Sequence, residues 1–186
     1  MEKEVLARAH AITRGVLTNI GTNQLGNSTP CESWAVRDVI NHVVVANFRF
    51  ARAMRAGDAP PDHEPDYASG DFLSAYDESS ALCAAAFDAP GALDKRVSMP
   101  FGDLSGSLAL WLATTEVFVH GWDLSKATHQ STDLDPTIAV ELLKGAEVVS
   151  DDLRGPEGVA GFGPRRSPPD SASSADELAA YLGRRV

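Results

Sequence analysis

The order of apolar and polar positions predicts a mostly helical chain. Val5, Leu6, Ala9, Ile12, Val16 and Ile20 recur at helical spacing over residues 2–20. "GTNQLGNSTPCES" then breaks the period with Gly, Asn and Pro. Ser33 is placed to cap a second helix, "WAVRDVINHVVVANFRFARAMRAG", ending at Gly57. The three prolines of "DAPPDHEPD" exclude a helix there. A third helix runs from about Gly70 to Phe87, carried by Phe72, Leu73, Tyr76, Leu82, Ala86 and Phe87. In "RVSMPFGDLSGS" the alternation and the central Gly-Asp predict a short hairpin. "LALWLATTEVFVHGWDLSKAT" is a fourth helix reaching about Thr128. Asp135-Pro136 opens a fifth, through about Leu153. Ser174 with Glu177 has the capping-box pattern for a short last helix. Four main helices with a minor β excursion make an all-α bundle, a single domain over residues 1–186.

Composition narrows the partners more than the fold. The chain has 186 residues and a net charge of −10, the wrong sign for nucleic acid or an anionic membrane surface. Two cysteines, Cys31 and Cys83, are too few for a disulfide framework. No stretch reads as a membrane span, and "MEKEVLARAH" lacks a signal peptide's apolar core, so a cytoplasmic protein is expected.

Candidate chemistry stands out where charge is scarce. Between Asp103 and Asp123 the only formally charged residue is Glu116, and the only other ionisable one is His120. Four residues apart, they share one helix face, on the stripe of Ala109, Leu112 and Ala113. In "VINHVVVANF" of helix two, His42 is the only ionisable group. A carboxylate facing a bundle interior needs neutralising. Two imidazoles and a carboxylate are a recurrent ligand set for a divalent ion, above all zinc with an open fourth position. A Glu–His hydrogen bond with a separate core histidine accounts for the same residues.

"TPCESWAVRDVINHVV" and "TEVFVHGWDLSKAT", with "MPFGDLSG", "LDP", "GFGP" and the terminal "LGRR", resemble the DinB-like metal-binding domain of the mycothiol-dependent maleylpyruvate isomerase family, closest to its stand-alone single-domain branch. The resemblance covers nearly the whole chain. It implies a DinB-like four-helix bundle, a metal held by His42, Glu116 and His120, and a homodimer. Trp122 falls where the motif borders the metal and is the candidate pocket residue. His10, His63 and His129 match nothing in the motif and are expected on the surface or in structural roles. In the two-domain isomerase a second domain completes the site. This sequence has a short tail in that place, so isomerisation of maleylpyruvate is not expected of it.

The resulting expectation is a metal-dependent S-transferase. Zinc, with nickel, manganese or iron suiting the same donors, would help a small thiol such as mycothiol ionise and attack a small electrophile. The alternatives are a metal-dependent hydrolase or a non-catalytic metal or small-ligand module. Asp123, three residues after His120, is placed to orient the imidazole or else to pair with Lys126 or a tryptophan N–H. Asp38 is expected to serve the first turn of its helix. Thr114 and Thr115 bond either Glu116 or their own helix. Cys31 and Cys83 read as packing residues. Arg165, Arg166, Arg184 and Arg185 suit an anionic cofactor or substrate, or else a solvated surface.

Overall fold

The computed structural model describes residues 1–31, 33–55, 65–99, 102–146, 154–155 and 162–186. Its helices are α1 (Lys3–Thr18), α2 (Val36–Met54), α3 (Phe72–Asp88), α4 (Gly106–Ala127), α5 (Pro136–Ala146) and α6 (Ser174–Tyr181). A two-stranded antiparallel hairpin, β1 (Arg96–Met99) and β2 (Gly102–Ser105), precedes α4. Among the described residues no helix is long and apolar enough to cross a membrane.

Helices α1 to α4 form the bundle, α1 lying against α3 and α4, and α2 against α3 and α4. Helix α4 is apolar almost all round, as suits a helix enclosed along most of its length. Helices α5 and α6 cover the side that the other three leave open, packing Ile138, Leu142, Leu178 and Leu182 around Phe118 and Trp122. At the other end, Ala109, Leu110 and Ala113 meet Phe50, Met54 and Phe87 with Val97 of the hairpin. Leu124 and Ala127 meet Val36, Val39, Ile40 and Val43. The start of α2 therefore faces the end of α4, and the two run antiparallel. Each large side chain fully removed from water here contributes about 1.5–3 kcal/mol before entropy.

Local chemistry sets the helix ends, in three places differently from the sequence reading. Helix α2 starts at Val36, because Asp38, not Ser33, bonds the free Ala35 N–H through Oδ2 at 2.8 Å. Trp34 is thereby left in the preceding turn. The last helix is capped one residue earlier than Ser174: Ser173 Oγ accepts from Asp176 N, and Asp176 Oδ2 accepts from Ser173 N, both at 3.2 Å. Gly102, with φ +127°, sits in β2 opposite Met99 instead of forming the turn with Asp103. The Asp135 cap of α5 is as expected, its Oδ1 accepting from Thr137 N at 2.9 Å and Ile138 N at 3.2 Å. The end of the fifth helix near Leu153 and His63 lie outside the described residues.

His10 is not on the surface. Buried between α1 and α2, it donates from Nε2 to Asn47 Oδ1 at 3.0 Å, and Asn47 Nδ2 donates to Ser79 Oγ at 3.3 Å. His129 is exposed just past α4, in the left-handed region at φ 60°.

Two measurements check this packing. A Cβ at Gly121 would stand 2.4 Å from Thr13 Oγ1, which itself donates to Val117 O at 3.0 Å. Gly121→Ala should therefore lower the denaturation free energy by roughly 1–3 kcal/mol. Burial lowers the pKa of His10, with the Asn47 bond opposing it. The unfolded chain then binds a proton near pH 6.5 that the folded chain still refuses, so stability falls as pH drops through that window. The slope is at most about 1.4 kcal/mol per pH unit. Urea titrations across that window should show a shallower slope for His10→Gln than for the unsubstituted chain.

Candidate metal centre

Helix α4 carries Glu116 and His120 one turn apart, and the antiparallel approach of α2 brings His42 across to them. Nε2 of His42 hydrogen-bonds Glu116 Oε1, and Nε2 of His120 lies 3.4 Å from the same oxygen. The two imidazole rings meet edge to face, their centroids 4.8 Å apart. Donor atoms of all three residues lie within 4.8 Å of one another.

Glu116 is less buried than a carboxylate in an apolar run suggests. Its side chain is 34 % exposed and that of His42 26 %, against 7 % for His120. The cluster thus sits at a rim, with a ligand's access on the Glu116–His42 side. Burial opposes ionisation of Glu116, but the bonds and charge of His120 and His42 outweigh it and hold the carboxyl well below its usual range. Burial likewise opposes a charge on His120, and Asp123, Cys31 and Glu116 together outweigh it and push the imidazole well above its usual range.

Asp123 orients His120, accepting from Nδ1 at 2.8 Å through Oδ2. Neither Lys126 nor a tryptophan N–H takes that carboxylate: Lys126 lies over the Trp122 ring, and Trp122 Nε1 donates to Asp176 at 2.8 Å. The cation on Asp123 is Arg184, reaching back from the end of the chain, Nε at 3.3 Å from Oδ1 and Nη2 at 3.2 Å from Oδ2. Burial raises the carboxyl's pKa, but the Arg184 charge and the His120 bond bring it to about 2. Arg184 is therefore an internal counter-ion and not the surface group or ligand-binding arginine that sequence suggests. Arg165 lies over the Tyr181 ring.

The turn before α2 supplies two residues that sequence reasoning placed elsewhere. Thr29 N donates to Trp34 O at 3.2 Å and Trp34 N to Cys31 O at 2.8 Å, folding the segment into a tight reversal. Trp34 lies against both imidazoles, 4.6 Å from the His42 ring and 5.8 Å from the His120 ring. The tryptophan beside the cluster is thus Trp34, whereas Trp122 is buried among Val119, Ile138 and Leu178. Cys31 is more than packing: its thiol lies 3.2 Å from Asp123 Oδ2. Cys83 is buried, with its thiol pushed up to about 12 by burial. Thr114 and Thr115 bond Leu110 O and Trp111 O, each at 2.8 Å, and leave Glu116 to the histidines.

Two donor sets share His120, one with His42 and Glu116, the other with Cys31 and Asp123. Their suitability for a divalent cation differs. Atoms bound to one zinc ion at about 2.0–2.1 Å in a tetrahedron lie about 3.3 Å apart; the 3.4 Å between His120 Nε2 and Glu116 Oε1 matches that spacing. The first set also has an anion, Glu116, paired with the two imidazoles, and an exposed side. On the second, Arg184 Nη2 stands 3.2 Å from Asp123 Oδ2 and 3.6 Å from Cys31 Sγ. A cation already fills that place. The chemistry of the donors therefore fits a divalent ion at His42, Glu116 and His120.

Comparison with known proteins agrees with this architecture. The family model described as the mycothiol maleylpyruvate isomerase N-terminal domain matches residues 6–125. Uncharacterized proteins from two strains of Mycobacterium tuberculosis are each 38 % identical over 180 residues, 96 % of this chain and 95 % of theirs. A crystal structure of a mycothiol-dependent maleylpyruvate isomerase superposes with a TM-score of 0.62 at 16 % identity, over 77 % of this chain and 67 % of that one. A histidine-to-alanine mutant of such an isomerase gives a TM-score of 0.56 at 18 % identity, over 66 % and 58 % of the two chains. The DinB-like helical fold expected from the sequence is the one observed.

The placement of the cysteines has a direct check. An aromatic disulfide reagent at neutral pH should titrate one thiol in the native chain, Cys31, and the second only after unfolding. Cys31→Ser should abolish the native reaction; a native reaction that survives it would place Cys83 wrongly.

Proposed function

The chain belongs to the mycothiol maleylpyruvate isomerase N-terminal domain family, and on that premise we propose that it is a divalent-metal S-transferase. It takes a small thiol of the mycothiol kind and joins it to a small electrophile. The observation that carries this reading is the convergence of His42, Glu116 and His120 at a solvent-reached rim. Those three side chains would hold the ion, zinc first, with nickel, manganese or iron suited to the same donors. A divalent ion there supplies Lewis-acid stabilisation of a thiolate, lowering a thiol's pKa toward neutrality.

The chain's own residues prepare that place. Asp123 holds the His120 ring by Nδ1 and leaves Nε2 turned to Glu116. Trp34 forms a flat apolar wall against His42, suited to the carbon skeleton of a ligand. In the reaction the thiol would give its proton to solvent water at the open rim, and the sulfur would then form a bond to carbon. Either a leaving group departs with the bonding pair, or an activated double bond accepts the pair and then a proton. No protein nucleophile is needed.

Hydrolysis is the weaker reading. It needs a free carboxylate base, and Asp123 is buried and already bonded by His120, Arg184 and Cys31. A non-catalytic module would have the same ligands, so activity must decide between it and a transferase.

Protein purified without added metal should carry near-stoichiometric divalent ion by elemental analysis. His42→Ala, Glu116→Gln and His120→Ala should each remove it. Asp123→Asn should weaken its affinity by about 10–100-fold while sparing the ligands. With mycothiol and a generic alkylating electrophile, conjugation above the uncatalysed rate should vanish on chelation and return on reconstitution. Metal retained at full occupancy by His120→Ala would overturn the ligand assignment. Metal without conjugation would favour the binding module, and ester or amide cleavage without thiol would favour the hydrolase.

A further inference from the structure

We propose that Arg184 is a resident cation that keeps the second donor set, Cys31 and Asp123, away from the metal and reserves His120 for His42 and Glu116. This rests on the metal-centre reading above and goes beyond it. Arg184 lies outside the residues 6–125 matched by the family model, so the role is an attribute of the tail of this chain.

The geometry is specific. Asp123 Oδ2 is met from three sides, by His120 Nδ1 at 2.8 Å, Arg184 Nη2 at 3.2 Å and Cys31 Sγ at 3.2 Å. The guanidinium is almost wholly enclosed, with 14 % of its side chain exposed, and Asp123 is fully so. Arg184 also contacts the Cys31 sulfur at 3.6 Å, touching both members of the donor set that are not shared. A thiolate, a carboxylate and an imidazole are otherwise a good soft-metal site. Arg184 fills it with a charge that cannot be lost, since a guanidinium does not deprotonate in proteins.

The tail is built to deliver this group. Gly183 adopts φ +103°, and a Cβ there would lie 2.6 Å from Gly163 Cα, so only glycine lets the end of α6 pack on that backbone. Gly163 N donates to Leu182 O at 3.1 Å, and Arg184 N to Ala179 O at 2.9 Å. Together these turn residue 184 inward, toward the imidazole face that the metal does not need. Arg184 is thus a positioning and selectivity residue, acting on the ion through Asp123 and Cys31.

Metal-free full-length protein titrated with cadmium, and separately with zinc against a competing chelator, tests this. In the unsubstituted chain cadmium should bind without a thiolate-to-cadmium charge-transfer band, and Cys31→Ser should leave both affinities within two-fold. In Arg184→Met the band should appear as the Cys31 proton is released to buffer, and the preference for cadmium over zinc should rise at least ten-fold. Adding Cys31→Ser to that variant should remove the band. Arg184→Lys keeps the charge and should show no band. A band in the unsubstituted chain, or a loss of cadmium affinity on Cys31→Ser, overturns the role of Arg184 while leaving the metal centre standing. So does an Arg184→Met chain that binds both ions unchanged. If Arg184→Met fails to fold, a band in the unsubstituted chain or a loss of cadmium affinity on Cys31→Ser would still overturn the role, and Arg184→Gln replaces it as the charge-removing variant. A chain that takes up neither ion overturns the metal centre, and the reservation of His120 with it.

Discussion

The imidazole of His120, held between two carboxylates, is the constraint around which the rest is arranged. Asp123 Oδ2 takes Nδ1 at 2.8 Å, and Glu116 Oε1 lies 3.4 Å from Nε2. Both carboxylates come from the same helix, one turn before and one turn after the ring. A single α-helix thus supplies both carboxylates that orient the imidazole, while Cys31 from the turn before α2 and Arg184 from the tail hold Asp123 in place. The two anions are compensated differently. Asp123, fully buried, has a guanidinium; Glu116, at the rim, has the two imidazoles. Burial is costlier for the first, and the permanent cation goes there.

This arrangement explains why α4 is enclosed around Asp123. A surface helix with a polar stripe would let water into the Asp123–Arg184 pair and weaken it. Helices α5 and α6 exclude that water, and the C-terminal tail that follows α6 supplies the arginine. The outer layer therefore serves the site as well as the core. Trp122 illustrates the division: its ring packs with Ile138 and Leu178, and its N–H secures Asp176, the residue that caps α6.

The fold and the three clustered side chains were legible in the sequence because both signals are local. Helical period and caps place α1 to α4 and the start of α5 within a few residues, and a lone Glu or His in an apolar run marks itself. Trp34, Cys31 and Arg184 were not legible, since their partners are 8, 92 and 61 residues away and only the tertiary fold joins them. The shift of Trp34 out of α2 had a local cause, the Asp38 cap on Ala35 N–H, which Ser33 concealed by being an equally good capping type. Whether Glu116 reaches solvent is open in the sequence for a related reason, and the structure leaves it part-exposed. Apolar neighbours along a helix show that the helix is enclosed, but not where the enclosing elements stop short.

Charge accounting joins the proposed function to the proposed role of Arg184. Among the described residues of the cluster Asp123 and Arg184 cancel, and Glu116 is left uncompensated when both imidazoles are neutral, as metal ligation would require. The proposed divalent ion would bring that anion to a net charge of +1 on the Glu116–His42 side, which would favour an anionic sulfur ligand from solution over a neutral one. In the two proposed roles the guanidinium would act twice with one charge: beside Asp123 and Cys31 it would close the Nδ1 side of His120, and by cancelling Asp123 it would leave the Glu116 side positive once the ion is bound.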